Sequence, residues 1–229
     1  MSTAEIPKRY ATNAAVTVSL EDRLADLGGI APSRVRALPA PGTATLADLI
    51  EAQRTDDRLC ELVDGTLVEK PMGWQESLLA MVLVQWLRNH LEAHPLGVVT
   101  GPDGATRLFE KTVRAADVSF FSWERMPDGK LPTHPVPELV PDFVIEVLSV
   151  GNTRGEMARK RREYFQAGVR LVWMVDPQSR TVAVYTDPES FSVATEEETI
   201  DGRDVLPGWK VDLGRLFGSW QLAVGSWQN

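Results

Sequence analysis

The chain has 229 residues, of which 43% are hydrophobic and 24% are charged, as in an ordinary globular protein and unlike a disordered or fibrous one. A single cysteine, Cys60, excludes an intrachain disulfide framework and a cysteine zinc cluster, and it favours a reducing compartment. The formal net charge of −8 argues against a protein that coats nucleic acid through counterion release alone.

The start of the chain lacks the basic segment and apolar segment of an export signal. No run of about 18 apolar residues is free of charges, which a membrane-spanning helix would require. We therefore expect a cytoplasmic protein with no membrane segment.

Residues 1–45 are weakly periodic, with a short helical pattern at residues 19–28 followed by proline and glycine punctuation. We expect this segment to be an N-terminal arm that packs loosely or not at all, and residues 46–229 to form the domain. The domain begins with a helix, because Leu46, Leu49 and Ile50 follow Thr45 at helical spacing.

Asp64-Gly65 between alternating apolar residues predicts a β-hairpin over residues 60–70. A long core helix should follow Gly73, because leucines recur at helical spacing until Pro95 and Gly97 end the pattern.

The second half of the chain is rich in strand patterns. The sequence predicts a strand over residues 98–109 that a glycine-rich turn interrupts and a single strand over residues 112–122. It also predicts a strand over residues 141–149 that is covered on both faces. The pattern of residues 154–167 predicts a helix that ends at Gly168, and residues 169–186 are expected to form two strands. Residues 206–218 are expected to form a tail that ends in a short turn or helix. This order indicates an α/β (α+β) fold with a mixed sheet flanked by helices.

Glu146 lies inside the apolar run 143–148, where an unpaired carboxylate would be costly. Strand periodicity places Asp142, Val144 and Glu146 on one face, and Asp117 stands directly ahead of another apolar run. If the two strands are neighbours, Asp117 and Glu146 can converge on one cation. Carboxylate oxygens suit Mg²⁺ or Mn²⁺ better than Zn²⁺, and the three histidines do not support a separate metal site.

Lys160 follows Glu146 by 14 residues, early enough in the predicted helix for its side chain to turn back toward the strand ends. Such a cation can stabilise the charge of a transferring phosphoryl group, although an ordinary surface lysine is the simpler interpretation. Residues 154–162 also concentrate basic side chains, either as a nucleic-acid contact or as a solvated helix face. Tyr164 fits a core position one turn after Lys160.

The series PDFVIEVLS, KRREY and AGVRLVWMVDP at residues 141–177 resembles the Uma2 family (DUF820) of the PD-(D/E)XK nuclease superfamily. CELVDGTLVEK, VRAADVSFF and VLPGWKVDLGRLF occur in that family's order, so that the resemblance spans about residues 58–217. It implies a restriction-endonuclease-like fold and a Mg²⁺- or Mn²⁺-dependent endonuclease. Its catalytic residues would be Asp117, Glu146 and Lys160, with the metal on Asp117 and Glu146.

The sequence departs from the family pattern at three positions. Ala116 stands where the family has proline, Leu148 stands where an in-strand lysine would follow Glu146, and Glu76 stands where many relatives have histidine. Catalysis therefore depends on Lys160 replacing the in-strand lysine. Glu76 and Asp142 are further candidates for the metal site.

Three functions remain open from the sequence. The first is an endonuclease that hydrolyses phosphodiester bonds of nucleic acid, with DNA preferred. The second is a catalytically weak protein of the same fold that binds nucleic acid or another protein. The third is a structural or partner-binding homodimer with a vestigial site. Fold alone does not choose among them.

Overall fold

The computed structural model describes residues 19–55, 58–71 and 73–225, with side chains described up to residue 219. The helices in this part are α1 Leu20–Asp26, α2 Leu46–Thr55, α3 Trp74–Ala93, α4 Arg154–Ala167 and α5 Leu213–Gly225. The strands are β1 Cys60–Val63, β2 Thr66–Glu69, β3 Gly97–Thr100, β4 Thr106–Phe109, β5 Thr112–Arg114, β6 Val118–Ser122, β7 Phe143–Val147, β8 Leu171–Asp176, β9 Thr181–Tyr185, β10 Phe191–Thr195, β11 Thr199–Gly202 and β12 Leu206–Asp212. Within these ranges, no helix has the length and apolar character that a bilayer crossing demands.

The largest sheet has six strands in the order β10-β9-β8-β7-β6-β3. Strands β7 and β8 are parallel, and the other neighbours in this sheet are antiparallel. A parallel pair needs a crossover connection, which α4 supplies between β7 and β8. The predicted mixed sheet flanked by helices is therefore confirmed.

Helices cover both faces of this sheet. Leucines of α3 pack with Phe143 and Ile145 on one face. On the other face, Met157 and Tyr164 of α4 pack with Val144. Val144 and Glu146 thus share one face of β7, as the strand periodicity predicted, and this face is the one that α4 covers.

A second sheet has four strands in the order β2-β1-β5-β4. The predicted hairpin is confirmed as β1 and β2, with Asp64 and Gly65 at φ of 46° and 70° in its turn.

The single strand predicted over residues 112–122 is wrong, because β5 belongs to the second sheet and β6 to the first. The chain crosses between the sheets at residues 115–117. Side chains take the place of strand partners there: Ala115 N–H donates to Glu61 Oε1, and Lys70 Nζ donates to the Ala115 carbonyl. No glycine or proline marks the break in the sequence.

Strands β10, β11 and β12 were not predicted, whereas the short turn or helix expected at the end of the tail is found as α5. Phe191 and Val193 of β10 are 57% and 52% exposed, so this edge strand has no alternation between core and solvent to reveal it. In β12, Gly208 at φ 80° interrupts the strand pattern.

Residues 19–45 pack more closely than the loose arm that the sequence suggested. Leu27 and Ile30 are each 3% exposed and pack against Val63 and Val68 of the β1–β2 hairpin. Both side chains follow the end of α1 at Asp26, and their contact with the hairpin is long-range, so no local pattern predicted it. Residues 1–18 lie outside the described part, and the domain boundary at residue 46 stays a prediction.

Candidate active site

The two predicted acids lie side by side. Asp117 directly precedes β6, and Glu146 is the fourth residue of β7. Val118 pairs with Ile145 in the antiparallel register, which sets Asp117 beside Glu146. The Val147 N–H donates to Asp117 Oδ2 at 2.6 Å, fixing this carboxylate to the end of β7. Both acids line one narrow cleft with a cavity volume of about 30 Å³.

Lys160 turns back from α4 into this cleft, as predicted. Its Nζ lies 3.1 Å from Glu146 Oε1 and 3.0 Å from Glu61 Oε1, and its side chain is 2% exposed. The simpler interpretation of an ordinary surface lysine is therefore wrong.

Glu61 is a site residue that the sequence analysis missed. It lies in β1, is 1% exposed, and binds Lys160 together with Arg114, whose Nη1 is 2.8 Å from Glu61 Oε2. Arg114 also pairs with Glu163 of α4 at 2.6 Å, so a buried network joins both sheets to the helix. The signal was present, because Glu61 stands in an apolar strand just as Glu146 does.

Lys70 is the second missed residue. Its Nζ lies 2.8 Å from Asp117 Oδ1 and donates to the Ala115 carbonyl at 2.6 Å, and its side chain is 6% exposed. Lys70 follows β2, far from Asp117 in sequence, and only the pairing of β1 with β5 brings the two together. No local pattern could have shown this contact.

The buried charges shift one another's ionisation. Burial raises the pKa of Glu146 above its ordinary value, although the positive charge of Lys160 opposes the shift. Burial disfavours the charged form of Lys160, but the carboxylates of Glu146 and Glu61 outweigh it and raise the pKa of Lys160. Burial likewise opposes ionisation of Glu61, yet Lys160 and Arg114 lower its pKa well below the usual range. Lys160 and Glu61 thus form a stable ion pair, and Glu146 is the acid that protonates more readily.

Tyr164 completes the surroundings of Glu146. Its hydroxyl donates to Glu146 Oε1 at 2.5 Å, and the ring is 1% exposed in the layer between α4 and the sheet. Tyr164 is thus a core aromatic, as predicted, and also positions the carboxylate.

The remaining acidic candidates separate into one inside and one outside the cleft. Glu76, in the first turn of α3, lines the cleft with Asp117 and Glu146. Asp142 instead accepts from the Ser122 N–H and pairs with Arg125 at 3.0 Å. It lies four residues before Glu146 in an extended strand, or about 13 Å away.

The donor set of the cleft suits a hard cation, because its carboxylates offer oxygen ligands and none of the described residues that line it carries a thiol or an imidazole. However, no group of three or more His, Cys, Asp or Glu side chains is arranged to hold a metal ion within residues 19–55, 58–71 and 73–225. In this arrangement Lys70 and Lys160 neutralise Asp117 and Glu146. A cation would have to displace the ammonium group of Lys70 from Asp117.

The basic segment 154–162 is divided among different surroundings. Arg159 pairs with Glu163 at 2.6 Å, and Lys160 is buried in the cleft. The Arg161 guanidinium lies 4.6 Å above the Tyr185 ring, whereas Arg154 and Arg162 are exposed. The segment is therefore neither one solvated face nor one continuous basic surface.

Comparison with known proteins supports the fold and identifies a family. A crystal structure described as a putative nuclease belonging to DUF820, from Anabaena variabilis ATCC 29413, matches with a TM-score of 0.67 and 20% sequence identity. The match covers 77% of this chain and 98% of that chain, and it concerns the fold. No curated protein matches the sequence. The family model named Uma2, described as "Putative restriction endonuclease", matches residues 46–214, and the chain therefore belongs to the Uma2 family.

Proposed function

We propose that the protein is a metal-dependent endonuclease that hydrolyses phosphodiester bonds of nucleic acid, with DNA as the preferred substrate, in the cytoplasm. One observation carries the proposal. Asp117 lies directly before β6, Glu146 lies in β7 and Lys160 lies in α4, and all three line the same cleft. Membership of the Uma2 family supports the same reaction.

Asp117 and Glu146 are the residues that would hold Mg²⁺ or Mn²⁺. The ion, when bound, would polarise the phosphate and lower the pKa of a bound water. Asp117 is kept in position by the Val147 N–H, and Glu146 by the Tyr164 hydroxyl and Lys160. Such preorganisation lets charged groups act without rearrangement in the transition state.

Lys160 is the proposed catalytic cation. It takes the place of the in-strand lysine whose position Leu148 occupies, and its ammonium group lies next to Glu146. There it would offset the negative charge that develops on the phosphoryl group.

The alternative is a catalytically weak nuclease-fold protein that binds nucleic acid or another protein. The ammonium partners of Asp117 and Glu146 favour this alternative, because both acids are already neutralised in this structure. A homodimer is a further proposal, which sedimentation would test.

The test is a cleavage screen of duplex DNA, single-stranded DNA and RNA with Mg²⁺ and with Mn²⁺. We expect metal-dependent cleavage that D117N and E146A abolish. E92Q is the matched control, because Glu92 is an exposed carboxylate of α3 with a side chain 71% exposed. Cleavage that survives in E146A would show a contaminating nuclease or a different site. Binding without turnover under every condition would favour the alternative.

A further inference from the structure

A second cavity lies beside the candidate active site, between α4 and the sheet. Its volume is about 510 Å³, within the range of small-molecule sites. The cavity lies where β7 and β8 end, against the first half of α4. Asn152 lines both this cavity and the narrow cleft of Asp117 and Glu146, so the two spaces share a wall.

The lining combines apolar and polar side chains. Leu148, Met157 and Met174 offer apolar surface, whereas Asn152 and Gln178 carry amides that can both donate and accept hydrogen bonds. Apolar walls with a few polar groups that fix orientation are typical of pockets for small organic ligands, and a nucleobase is such a group.

The charge of the cavity differs from that of the whole chain. Arg154 and Arg161 line it with one carboxylate, Asp176, although the chain has a net charge of −8. Asp176 is already engaged, since it accepts from the Gln178 N–H at 2.9 Å and the Ser179 hydroxyl at 2.8 Å. The two guanidinium groups therefore leave this wall positive.

Arg161 has unused hydrogen-bonding capacity. Its Nε is buried and has no hydrogen-bond partner within the described ranges, and its Nη2 is 3.9 Å from the exposed Glu189. The guanidinium is held above Tyr185 with a side chain 15% exposed. A buried donor without a partner is unfavourable, and an anionic oxygen is the acceptor that suits a guanidinium fork.

We propose that this cavity binds one nucleotide of the substrate strand, adjacent to the phosphodiester bond that the active site cleaves. Arg161 and Arg154 contact a phosphate, and the apolar wall accepts the base. The inference rests on the proposed function, because it names how that same site holds its nucleic acid.

The test measures binding of a fluorescent DNA oligonucleotide to the full chain in EDTA, where metal-dependent cleavage cannot proceed. R161Q should weaken binding about tenfold or more, and R161K should restore only part of it, because lysine lacks the planar fork. A158L reduces the cavity without changing the charge and should also weaken binding. R162Q is the matched control, since Arg162 is exposed on the same helix and does not line the cavity, and it should stay within about twofold. Melting temperatures show that each variant folds.

The outcomes separate the two proposals. Equal weakening by R161Q and R162Q, with A158L binding like the wild type, would overturn the nucleotide pocket, while metal-dependent cleavage would leave the proposed function intact. Selective loss in R161Q and A158L without cleavage by the wild type would retain the cavity as a nucleotide-binding site and overturn both the nuclease and the cavity's place beside a cleaved bond. A wild type that does not bind the oligonucleotide overturns the pocket. If a free nucleoside monophosphate binds as tightly as the oligonucleotide, the cavity serves a free nucleotide and the strand proposal is wrong.

Discussion

At the scale of single residues, the central feature is that Lys160 lies between two buried carboxylates. Its Nζ is within 3.1 Å of a carboxylate oxygen of both Glu61 and Glu146. The guanidinium of Arg114 is the second positive group that pairs with Glu61. Removing one member of such a group leaves an uncompensated buried charge. Lys160 is therefore structural as well as a proposed catalyst, and loss of activity in a Lys160 variant does not by itself show a catalytic role.

We expect K160M to reduce the free energy of unfolding by about 3–5 kcal/mol, because Glu61 and Glu146 lose their shared cation. Urea unfolding measures this change, and R162M is the control for loss of a long basic side chain on the same helix. Adding E61Q to K160M should restore part of the stability while activity stays low. A K160M variant as stable as the wild type would contradict the buried ion pairs.

Removal of Lys70 is predicted to strengthen metal binding although it weakens the fold. Because its Nζ occupies Asp117 Oδ1 at 2.8 Å, it competes with a cation for that oxygen. We expect K70M to have a lower melting temperature than the wild type in EDTA. Adding Mn²⁺ should raise the melting temperature of K70M more than that of the wild type. Calorimetric titration should give K70M the higher Mn²⁺ affinity. Equal or lower affinity would show that Lys70 does not compete for the metal position.

At the scale of elements, α4 depends on its first turn as much as on its buried face. Thr153 and Glu156 form a capping box at its start. Arg34, which lies in the segment before residue 46, binds the Glu156 carboxylate at a distance of 2.6 Å. Gly168 ends the helix at φ 106°, a conformation that costs a residue with a side chain more. Both ends of the element that carries Lys160 are thus fixed.

The Glu156 contact predicts a pH dependence. Burial tends to raise the pKa of Glu156, but hydrogen bonds from Arg34 and the charge of Lys160 lower it below the ordinary value of 4.5. Stability from this group is therefore present above that pH and is lost as the pH falls through the folded-state pKa. E156Q should be less stable than the wild type at pH 7, and the difference should shrink in acid. Unfolding curves at several pH values measure it, and a difference independent of pH would contradict the shift.

Elements of different kinds were not equally predictable. Helix α3 and the β1–β2 hairpin follow from apolar periodicity and a turn dipeptide, which are local properties. Glu146 and Lys160 could be identified because a charge in an apolar strand and a resemblance pointed to them. Lys70 could not be identified, because its position depends on which strands pair. Strand β10 escaped for a different reason, since an exposed edge strand buries too little apolar surface to show a period.

At the scale of the whole molecule, residues 19–45 connect the hairpin to the crossover helix. Leu27 and Ile30 pack on Val63 and Val68, and the Thr153 hydroxyl donates to the Gly28 carbonyl at 2.6 Å. This segment therefore packs against the start of α4, the helix that positions Lys160.

We expect a chain that starts at residue 46 to be several kcal/mol less stable than one that starts at residue 19, because burial of two aliphatic side chains contributes about 1.5–3 kcal/mol each. Denaturant unfolding of the two proteins measures this difference. Equal stability of the two proteins would show that residues 19–45 form the loosely packed arm that the sequence suggested.

The bond between the Val147 N–H and Asp117 provides a spectroscopic reporter that needs no substitution. The Val147 amide proton donates to the Asp117 carboxylate at 2.6 Å, so its chemical shift depends on the charge around that carboxylate. In a nitrogen-15-labelled sample, the Val147 cross-peak should shift during a titration with Mg²⁺. Its chemical shift thus reports whether a cation occupies Asp117, in the unmodified protein and without substrate.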